Sequence, residues 1–188
     1  MCLKKPENTL ILLKITQNPV VFEEEVRDSA QKRFKRRKIA GKEELWMLTN
    51  TYDHTVDAKN RIFIPAKFRD ELGEDIIIAP SVRRKCLVIY SIKEWEKYIA
   101  PIREGLNPVD RENVMRYLNG RAVSLFLDST GRVQLTPELC KHAEFKDKQI
   151  KIVGCGDYAE IWDATSYQRL MQTTSNDEML DIFTRYGL

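Results

Sequence analysis

Two short stretches of alternating apolar and polar residues mark the clearest strands in this chain. Ile62 and Ile64 alternate with Arg61 and Phe63, and residues 132–135 repeat the pattern in the sequence RVQL. Because successive side chains of a strand point to opposite faces, the isoleucines are expected to face a core. The alternation therefore predicts that the arginine of each stretch faces outward.

These stretches belong to an internal repeat with an offset of 71 residues. Residues 57–69 match residues 128–140 in an aspartate, an arginine four positions later, the alternating apolar residues and a following helical turn. Further β-rich stretches follow in the same order at 76–79, 87–90, 150–153 and 159–162. Each half then closes with a helix, so the repeat predicts two small, similar domains of the β-rich α+β class.

Each alternating stretch is preceded by a turn that runs from an aspartate to an arginine. Three residues separate Asp57 from Arg61, and three separate Asp128 from Arg132. The third residue is asparagine in the first copy and glycine in the second, and both types tolerate a left-handed backbone. Three-residue hairpin loops often place such a residue at the bulge. The spacing predicts two hairpins, each with an ion pair between its aspartate and its arginine.

Capping residues predict where the helices begin. Short helices are expected after Pro65 and after Thr136, which has the side chain of a good N-cap. A longer helix in the second half is expected to begin at Asp163 or Thr165. Residues 177–183 are expected to form one more short amphipathic turn or to fray.

Two helices are expected between the halves. Ser91 and Glu94 have the spacing of a capping box, and Asn107 begins a helix that Gly120 ends. Pro101 has no backbone N–H to donate within a helix, so it is expected to separate the two helices.

Residues 1–46 differ from the rest of the chain. They hold 11 Lys or Arg and 7 Asp or Glu, whereas residues 47–188 hold 20 and 21, so the repeat itself is near neutral. An acidic run at 23–25 and a basic run at 32–38 occur without sustained strand or helix periodicity. The segment is expected to be a flexible extension, or sequence upstream of a true start at Met47. The alternative is an added nucleic-acid arm.

Composition places the chain among ordinary globular proteins. Apolar residues make up 43% of the 188 residues and charged residues 31%, which is enough to bury a core. The longest apolar stretch near the start, residues 10–13, is too short for a signal peptide or a membrane span. A cytoplasmic location without a membrane partner is therefore expected.

Candidate groups for catalysis or metal binding are sparse. The four cysteines lack zinc-ligand spacing and are expected to be small core residues without disulfides: Cys2, Cys86, Cys140 and Cys155. No nucleophile has an adjacent base, and the segment 154–156 is too short for a nucleotide loop. The chain is therefore not expected to be an enzyme, or to bind a metal, a cofactor or a small-molecule substrate.

Residues 52–65 (YDHTVDAKNRIFIP) and 154–163 (GCGDYAEIWD), together with the two Asp-x-x-x-Arg turns, resemble the MraZ family of bacterial transcriptional regulators. The resemblance covers about residues 47–167. It implies two SpoVT-AbrB-like units whose swapped hairpins form a pseudo-dimeric β-barrel with flanking helices. It also implies a nucleoid-associated homo-oligomeric ring, an octamer or similar, that binds double-stranded DNA at promoter direct repeats of the division and cell-wall gene cluster.

By matching position, the resemblance assigns DNA contact to Arg61 and Arg132. A guanidinium group spans O6 and N7 of guanine or clamps a phosphate, which suits this role. Lys59 at the first turn's tip is a further candidate, and Arg83 and Arg84 are expected to add phosphate contacts. The alternative for the last two is a solvated loop.

The aspartates Asp57 and Asp128 are expected to orient the arginines, and the alternative for each pair is a surface salt bridge that only stabilises its hairpin. Asn60 stands where the family usually has glycine, and Thr136 replaces a common proline. Neither change is expected to break its turn.

The expected organisation has five parts: an extension at 1–46, domain 1 at 47–98, a helical connector at 99–120, domain 2 at 121–168 and a tail at 169–188. The expected function is sequence-specific regulation of transcription. The alternative is a protein-interaction or assembly module, or an antitoxin-like AbrB-fold protein, with incidental DNA contact.

Overall fold

The computed structural model describes residues 35–39 and 42–187, with side chains from residue 47 onward. The chain divides into two compact units, Met1–Trp46 and Met47–Leu188. In the first unit, strands β1 (Lys35–Ile39) and β2 (Lys42–Trp46) pair antiparallel. In their register, Arg37 pairs with Glu44 and Lys38 pairs with Glu43.

These strands are not predicted by the hydrophobic pattern of residues 1–46, because they lack a sustained alternation of apolar and polar residues. The basic run at 32–38 enters β1 at Lys35. The remainder of the predicted extension, residues 1–34 and 40–41, lies outside the described residues.

The second unit repeats one order of elements. Its first half contains β3 (Thr51–Thr55), β4 (Arg61–Phe63), α1 (Ala66–Leu72), β5 (Asp75–Pro80), β6 (Leu87–Ser91) and α2 (Ile92–Gly105). Helix α3 (Pro108–Asn119) connects it to the second half, which contains β7 (Val123–Phe126), β8 (Arg132–Gln134), α4 (Pro137–Ala143), β9 (Gln149–Gly154), β10 (Ala159–Asp163) and α5 (Ala164–Thr173). Helix α6 (Asn176–Arg185) follows. The architecture is α+β.

Six strands form one antiparallel sheet in the order β3-β9-β10-β6-β5-β7. The order reads the same from either edge when each strand is exchanged for its counterpart in the other half. The first strand of each half therefore lies beside a strand of the opposite half: β3 pairs with β9, and β7 pairs with β5. Because β3 and β7 are both edges, the sheet is open within the described residues, and the expected closed barrel is not seen.

Strands β4 and β8 form a separate two-stranded antiparallel ribbon. Ile62 pairs with Val133, which is its own counterpart at the repeat offset. An approximate two-fold axis consequently passes through this pair. Because the ribbon joins the two halves at equivalent positions, it also brings their turns into one neighbourhood.

One hydrophobic core lies between the sheet, the ribbon and the short helices α1 and α4. Ile62 and Ile64 of the ribbon are buried in it together with Phe68 of α1 and Leu139 of α4. A second cluster lies on the opposite face of the sheet, where Trp95 and other residues of α2 and α3 pack against it. The long helices therefore cover one face of the sheet and the turn ribbon covers the other.

The helix caps follow the sequence closely. The side chains of Ser91, Asn107, Thr136 and Asp163 each accept a backbone hydrogen bond at the start of a helix. The expected break at Pro101 is wrong, because α2 continues through it to Gly105. The packing of α2 against the second cluster offsets the loss of one backbone hydrogen bond.

The cysteine prediction holds for only part of the set. Cys86 is buried and Cys140 is half-buried against the core, but Cys155 is exposed, so its expected place in the core is wrong. Cys155 follows the end of β9, where the chain leaves the sheet. Cys2 lies outside the described residues. Among the described helices, none is both long enough and apolar enough to cross a membrane.

Candidate nucleic-acid interface

The first turn is closed by backbone hydrogen bonds and by the carboxylate of Asp57. The Asp57 N–H donates to the Arg61 carbonyl at 2.9 Å, and the Asn60 N–H donates to the Asp57 carbonyl at 3.0 Å. Oδ1 of Asp57 accepts the N–H groups of Lys59 and Arg61, both at 2.8 Å. Asn60 adopts the left-handed backbone that the turn requires, with φ 57°. The predicted three-residue loop is therefore present. The predicted hairpin pairing is wrong, because the strands on either side of the loop pair elsewhere, β3 with β9 and β4 with β8.

The predicted ion pair forms in this first turn. Nε of Arg61 donates to Oδ2 of Asp57 at 2.7 Å, and the two side chains are 34% and 36% exposed. The pair fixes the direction of the guanidinium while leaving much of it open to solvent. A cation held in this way loses less side-chain freedom when it binds an anion.

The second turn repeats the backbone geometry with a different use of its aspartate. Asp128 Oδ1 accepts the N–H groups of Thr130 and Arg132, both at 2.9 Å, and also the Thr130 hydroxyl at 2.7 Å. Gly131 supplies the left-handed position with φ 82°. Within the part of the chain that the structure describes, the Arg132 guanidinium has no ion-pair partner, so the second predicted salt bridge does not form.

These contacts lower the pKa of both carboxyl groups. The pKa of Asp57 falls from 3.8 to about 2, chiefly because the backbone N–H of Arg61 donates to the charged form. The pKa of Asp128 is also lowered, chiefly by the hydrogen bond from the Thr130 hydroxyl. Both groups are therefore ionised at neutral pH, the state in which each carboxylate accepts these hydrogen bonds.

The ribbon places the two arginines on one face. In its register Arg61 pairs with Gln134, and Phe63 pairs with Arg132. Cross-strand partners point to the same side of a sheet, and Ile62 between them is buried. Arg61, Phe63, Arg132 and Gln134 therefore share the outward face, as the alternation predicts. These four side chains form the turn face.

Each turn is also hydrogen-bonded to the opposite half. The Ile64 N–H donates to the Gly131 carbonyl at 2.9 Å, and the Leu135 N–H donates to the Asn60 carbonyl at 2.8 Å. These two bonds are equivalent under the repeat. They hold both turns against the ribbon, so the positions of Arg61 and Arg132 are set jointly by the two halves.

The other predicted cations have different locations. Lys59 is exposed at the tip of the first turn. Arg83 and Arg84 are exposed in the loop between β5 and β6, where Nε2 of His142, near the end of α4, lies 3.2 Å from the Arg84 carbonyl. Arg132 and Gln134 of the turn face come just before the start of α4, and this seven-residue helix is about 10 Å long. The contact with His142 therefore places Arg83 and Arg84 near the end of α4 that is farther from the turn face.

One cation beside the turn face is missed by sequence reasoning. Arg69 lies on α1, and its guanidinium carbon is 5.1 Å from the centre of the Phe63 ring. The Phe63 ring also contacts His54, with ring centroids 5.9 Å apart. Burial lowers the pKa of His54. Arg69 has no signal in the alternation, because it lies on a helix whose reach depends on tertiary packing.

Metal binding has no support among the described residues, where no group of three or more His, Cys, Asp and Glu side chains is placed to hold an ion. Guanidinium groups and hydrogen-bond donors instead dominate the turn face. The chemistry available there is recognition of anions and of the acceptor edges of bases.

Comparison with known proteins identifies similar sequences over the second unit. A family model described as "MraZ protein, putative antitoxin-like" matches residues 47–116 and again residues 118–186. Transcriptional regulator MraZ of Thermoanaerobacter sp. (strain X514) is 33% identical over 129 residues, covering 68% of this chain and 89% of that protein. The corresponding regulator of Lachnoclostridium phytofermentans is 31% identical over 147 residues, covering 76% of this chain and 99% of that protein. That of Carboxydothermus hydrogenoformans is 38% identical over 117 residues, covering 62% and 80%.

Proposed function

The chain belongs to the MraZ family, and we propose that it is a sequence-specific DNA-binding regulator of transcription whose turn face contacts the duplex. Its relatives named as MraZ transcriptional regulators support the regulatory role. A protein of this class acts by binding rather than by catalysis. Its proposed site of action is the bacterial nucleoid in the cytoplasm.

The observation that best supports the proposal is the antiparallel pairing of β4 with β8, which directs Arg61 and Arg132 outward from one ribbon. A two-stranded ribbon is narrow enough to enter the major groove of B-form DNA. Arginine recognises guanine through O6 and N7, or clamps a phosphate. We assign these contacts to Arg61 and Arg132, with Lys59 as a phosphate contact and Asp57 and Asp128 as orienting groups.

Arg83 and Arg84 are proposed as weaker, peripheral phosphate contacts. Their loop is separate from the turn face, and Lys85 beside them pairs with Glu144 at 3.1 Å. Removal of these two arginines is therefore expected to affect affinity less than removal of Arg61 and Arg132.

The near-neutral charge of residues 47–188 favours assembly as the source of tight binding. Each neutralised phosphate contributes a limited counterion-release free energy, so a single copy is expected to bind weakly. A homo-oligomeric ring on promoter direct repeats makes later contacts intramolecular and raises apparent affinity by about 10²- to 10⁴-fold where the spacing fits. We propose that the chain acts as such a ring, an octamer or similar, at the division and cell-wall gene cluster.

The exchange of first strands between the halves supports the swapped-hairpin arrangement of two SpoVT-AbrB-like units. β3 pairs with β9 of the other half, and β7 pairs with β5. In this arrangement one chain provides both halves of a DNA-binding pseudo-dimer.

Gel-shift titration with the chain's own upstream promoter region, at several salt concentrations, tests the proposal. Arg61→Ala and Arg132→Ala are each expected to lose about 1–3 kcal/mol of binding free energy on the promoter. Arg185→Ala is the matched control, because Arg185 is an exposed arginine on α6. The proposal fails if both turn variants bind as tightly as the unmodified chain.

A second candidate follows from the antitoxin-like description of the matching family model. In that case the ring surface binds a protein and contact with DNA is incidental. Lack of salt-sensitive promoter binding by the unmodified chain would favour this candidate over the first.

A further inference from the structure

The side chain of Arg69 packs against residues of both halves of the repeat. It lies on α1 of the first half, and its guanidinium packs over Phe63 and against Gly131 of the second turn. A Cβ atom added at Gly131 would lie 2.7 Å from the guanidinium carbon and 2.8 Å from Cδ of Arg69. The absence of a side chain at Gly131 is therefore what makes room for Arg69.

The two halves of the repeat can be compared at the positions of Arg69 and Gly131. The counterpart of Arg69 in the second half is Cys140, and the counterpart of Gly131 in the first turn is Asn60. The turn that has glycine faces an arginine, whereas the turn that has a side chain at this position is matched with a cysteine. Residue identities at the two positions therefore agree with the steric requirement, and only the second turn has the added cation.

The Arg69 cation has no compensating carboxylate among the described residues. Its Nε is buried without a hydrogen-bond partner in that part of the chain, and the side chain is only half-buried overall. A partly desolvated guanidinium binds an anion more strongly than a fully hydrated one, because the desolvation cost is already met in the folded protein. Its position beside Phe63 puts it at the edge of the turn face, next to the Arg132 strand position.

We propose that Arg69 binds a DNA phosphate at the second turn, and that it makes the two turns unequal half-sites. Arg132 and Arg69 then provide two guanidinium groups at the second turn, whereas the first turn provides Arg61, paired with Asp57, and the lysine Lys59 at its tip. The proposal rests on the proposed function of the turn face. It adds one phosphate-binding residue, and it gives the bound chain a defined orientation along the duplex.

The test measures duplex binding against salt for the full chain and for Arg69→Gln. Two short duplexes of equal length serve as probes, one from the promoter and one of unrelated sequence. Loss of one phosphate contact is expected to reduce the slope of log K against log salt by about 0.9 and to weaken binding about 8-fold at 0.1 M salt. Because phosphates carry no sequence information, both duplexes are expected to lose affinity equally.

Three further variants separate the charge from the packing. Lys67→Gln removes one charge from an exposed site on the opposite side of the same helix, and is expected to leave the slope unchanged. Arg69→Lys keeps the charge and is expected to retain most of the slope. Gly131→Asn copies the residue of the first turn, and its Cβ displaces the guanidinium. It is expected to reduce the slope like Arg69→Gln, with no further loss when the two changes are combined.

The outcomes distinguish this inference from the proposed function. If the full chain binds and Arg61→Ala and Arg132→Ala weaken it, while Arg69→Gln keeps the full slope, the phosphate role is overturned and the proposed function stands. A lower unfolding temperature for Arg69→Gln with an unchanged slope also overturns it, because packing alone would explain that result. If the full chain binds neither duplex, both proposals fail.

Discussion

The carboxylate of Asp57 accepts three hydrogen bonds from its own turn, two from backbone N–H groups and one from the Arg61 side chain. Asp128 accepts two equivalent backbone bonds, but its third donor is the Thr130 hydroxyl. Two turns with the same backbone therefore leave their arginines in different states. Arg61 is held by its aspartate, and Arg132 is directed by the ribbon alone.

Asp57→Asn provides a pH test of this contact. The folded-state pKa of Asp57, about 2, lies below its ordinary value of 3.8, so its contribution to stability is present above pH 4 and is lost as the pH falls toward 2. The difference in unfolding free energy between the unmodified chain and Asp57→Asn is expected to be constant near neutral pH and to shrink across that acid range. Chemical denaturation at a series of pH values measures it. A difference that is independent of pH would contradict the assignment.

At the residue scale, the sequence predicts those features well that have a local cause. The turn closure, the outward arginines and the buried Ile62 follow from spacing and alternation. The unpaired Arg132 does not, because the same spacing and the same turn backbone leave its guanidinium without an ion-pair partner among the described residues. Arg69 is missed for a different reason, since the space that its side chain occupies depends on a residue 62 positions later in the chain.

At the scale of elements, the backbone at the end of β9 closely approaches the backbone of the segment before β3, at the edge of the sheet. Gly154 ends β9, where its N–H donates to the Asn50 carbonyl at 2.9 Å. A Cβ atom there would lie 2.5 Å from the backbone nitrogen of Thr49. Glycine is required here because the two backbones leave no room for a side chain.

Gly154→Ala is therefore expected to destabilise the fold by about 1–3 kcal/mol, since backbone atoms cannot move away as a side chain can. Thermal or denaturant unfolding gives the value. Gly105→Ala is the control, because Gly105 ends α2 and a Cβ added there would meet no atom within 4 Å outside its own helix backbone and chain neighbours. It is expected to be neutral or slightly stabilising. Equal effects of the two substitutions would argue against the contact with Thr49.

Pro101 is the clearest case in which tertiary packing overrides a local signal. Its ring is expected to end a helix, yet Trp95 and Ile99 before it and Ile102 after it all pack on the second cluster and keep α2 continuous. Pro101→Ala restores a donor to the helix and is expected to raise the unfolding free energy by about 1 kcal/mol, or about 2–4 °C in Tm. A lower Tm would show that the proline limits the unfolded chain more than it weakens the helix.

At the scale of the whole molecule, the internal repeat predicts similar halves but not how they combine. Apolar periodicity identifies the strands, and nothing in it specifies that β3 pairs with β9 rather than with a strand of its own half. That pairing depends on long-range packing between the two halves. The approximate two-fold axis relates Val88 to its cross-strand partner Glu160, as it relates Ile62 to Val133. The strands β1 and β2 are missed because their sequences lack the sustained alternation of apolar and polar residues that predicts the other strands.

The division of the chain at residue 46 leads to a prediction for a variant that begins at Met47. The buried hydrophobic residues of both clusters lie between Leu48 and Ile161, and all of them belong to the second unit. Its free energy of unfolding is expected to lie within about 0.5 kcal/mol of that of the second unit in the full chain, because none of these core residues is removed. Its salt slope on promoter DNA is expected to match the full chain, since the turn face is intact. A shallower slope would instead assign phosphate contacts to the basic run at 32–38, and a large loss of stability would mean that the second unit needs the first to fold.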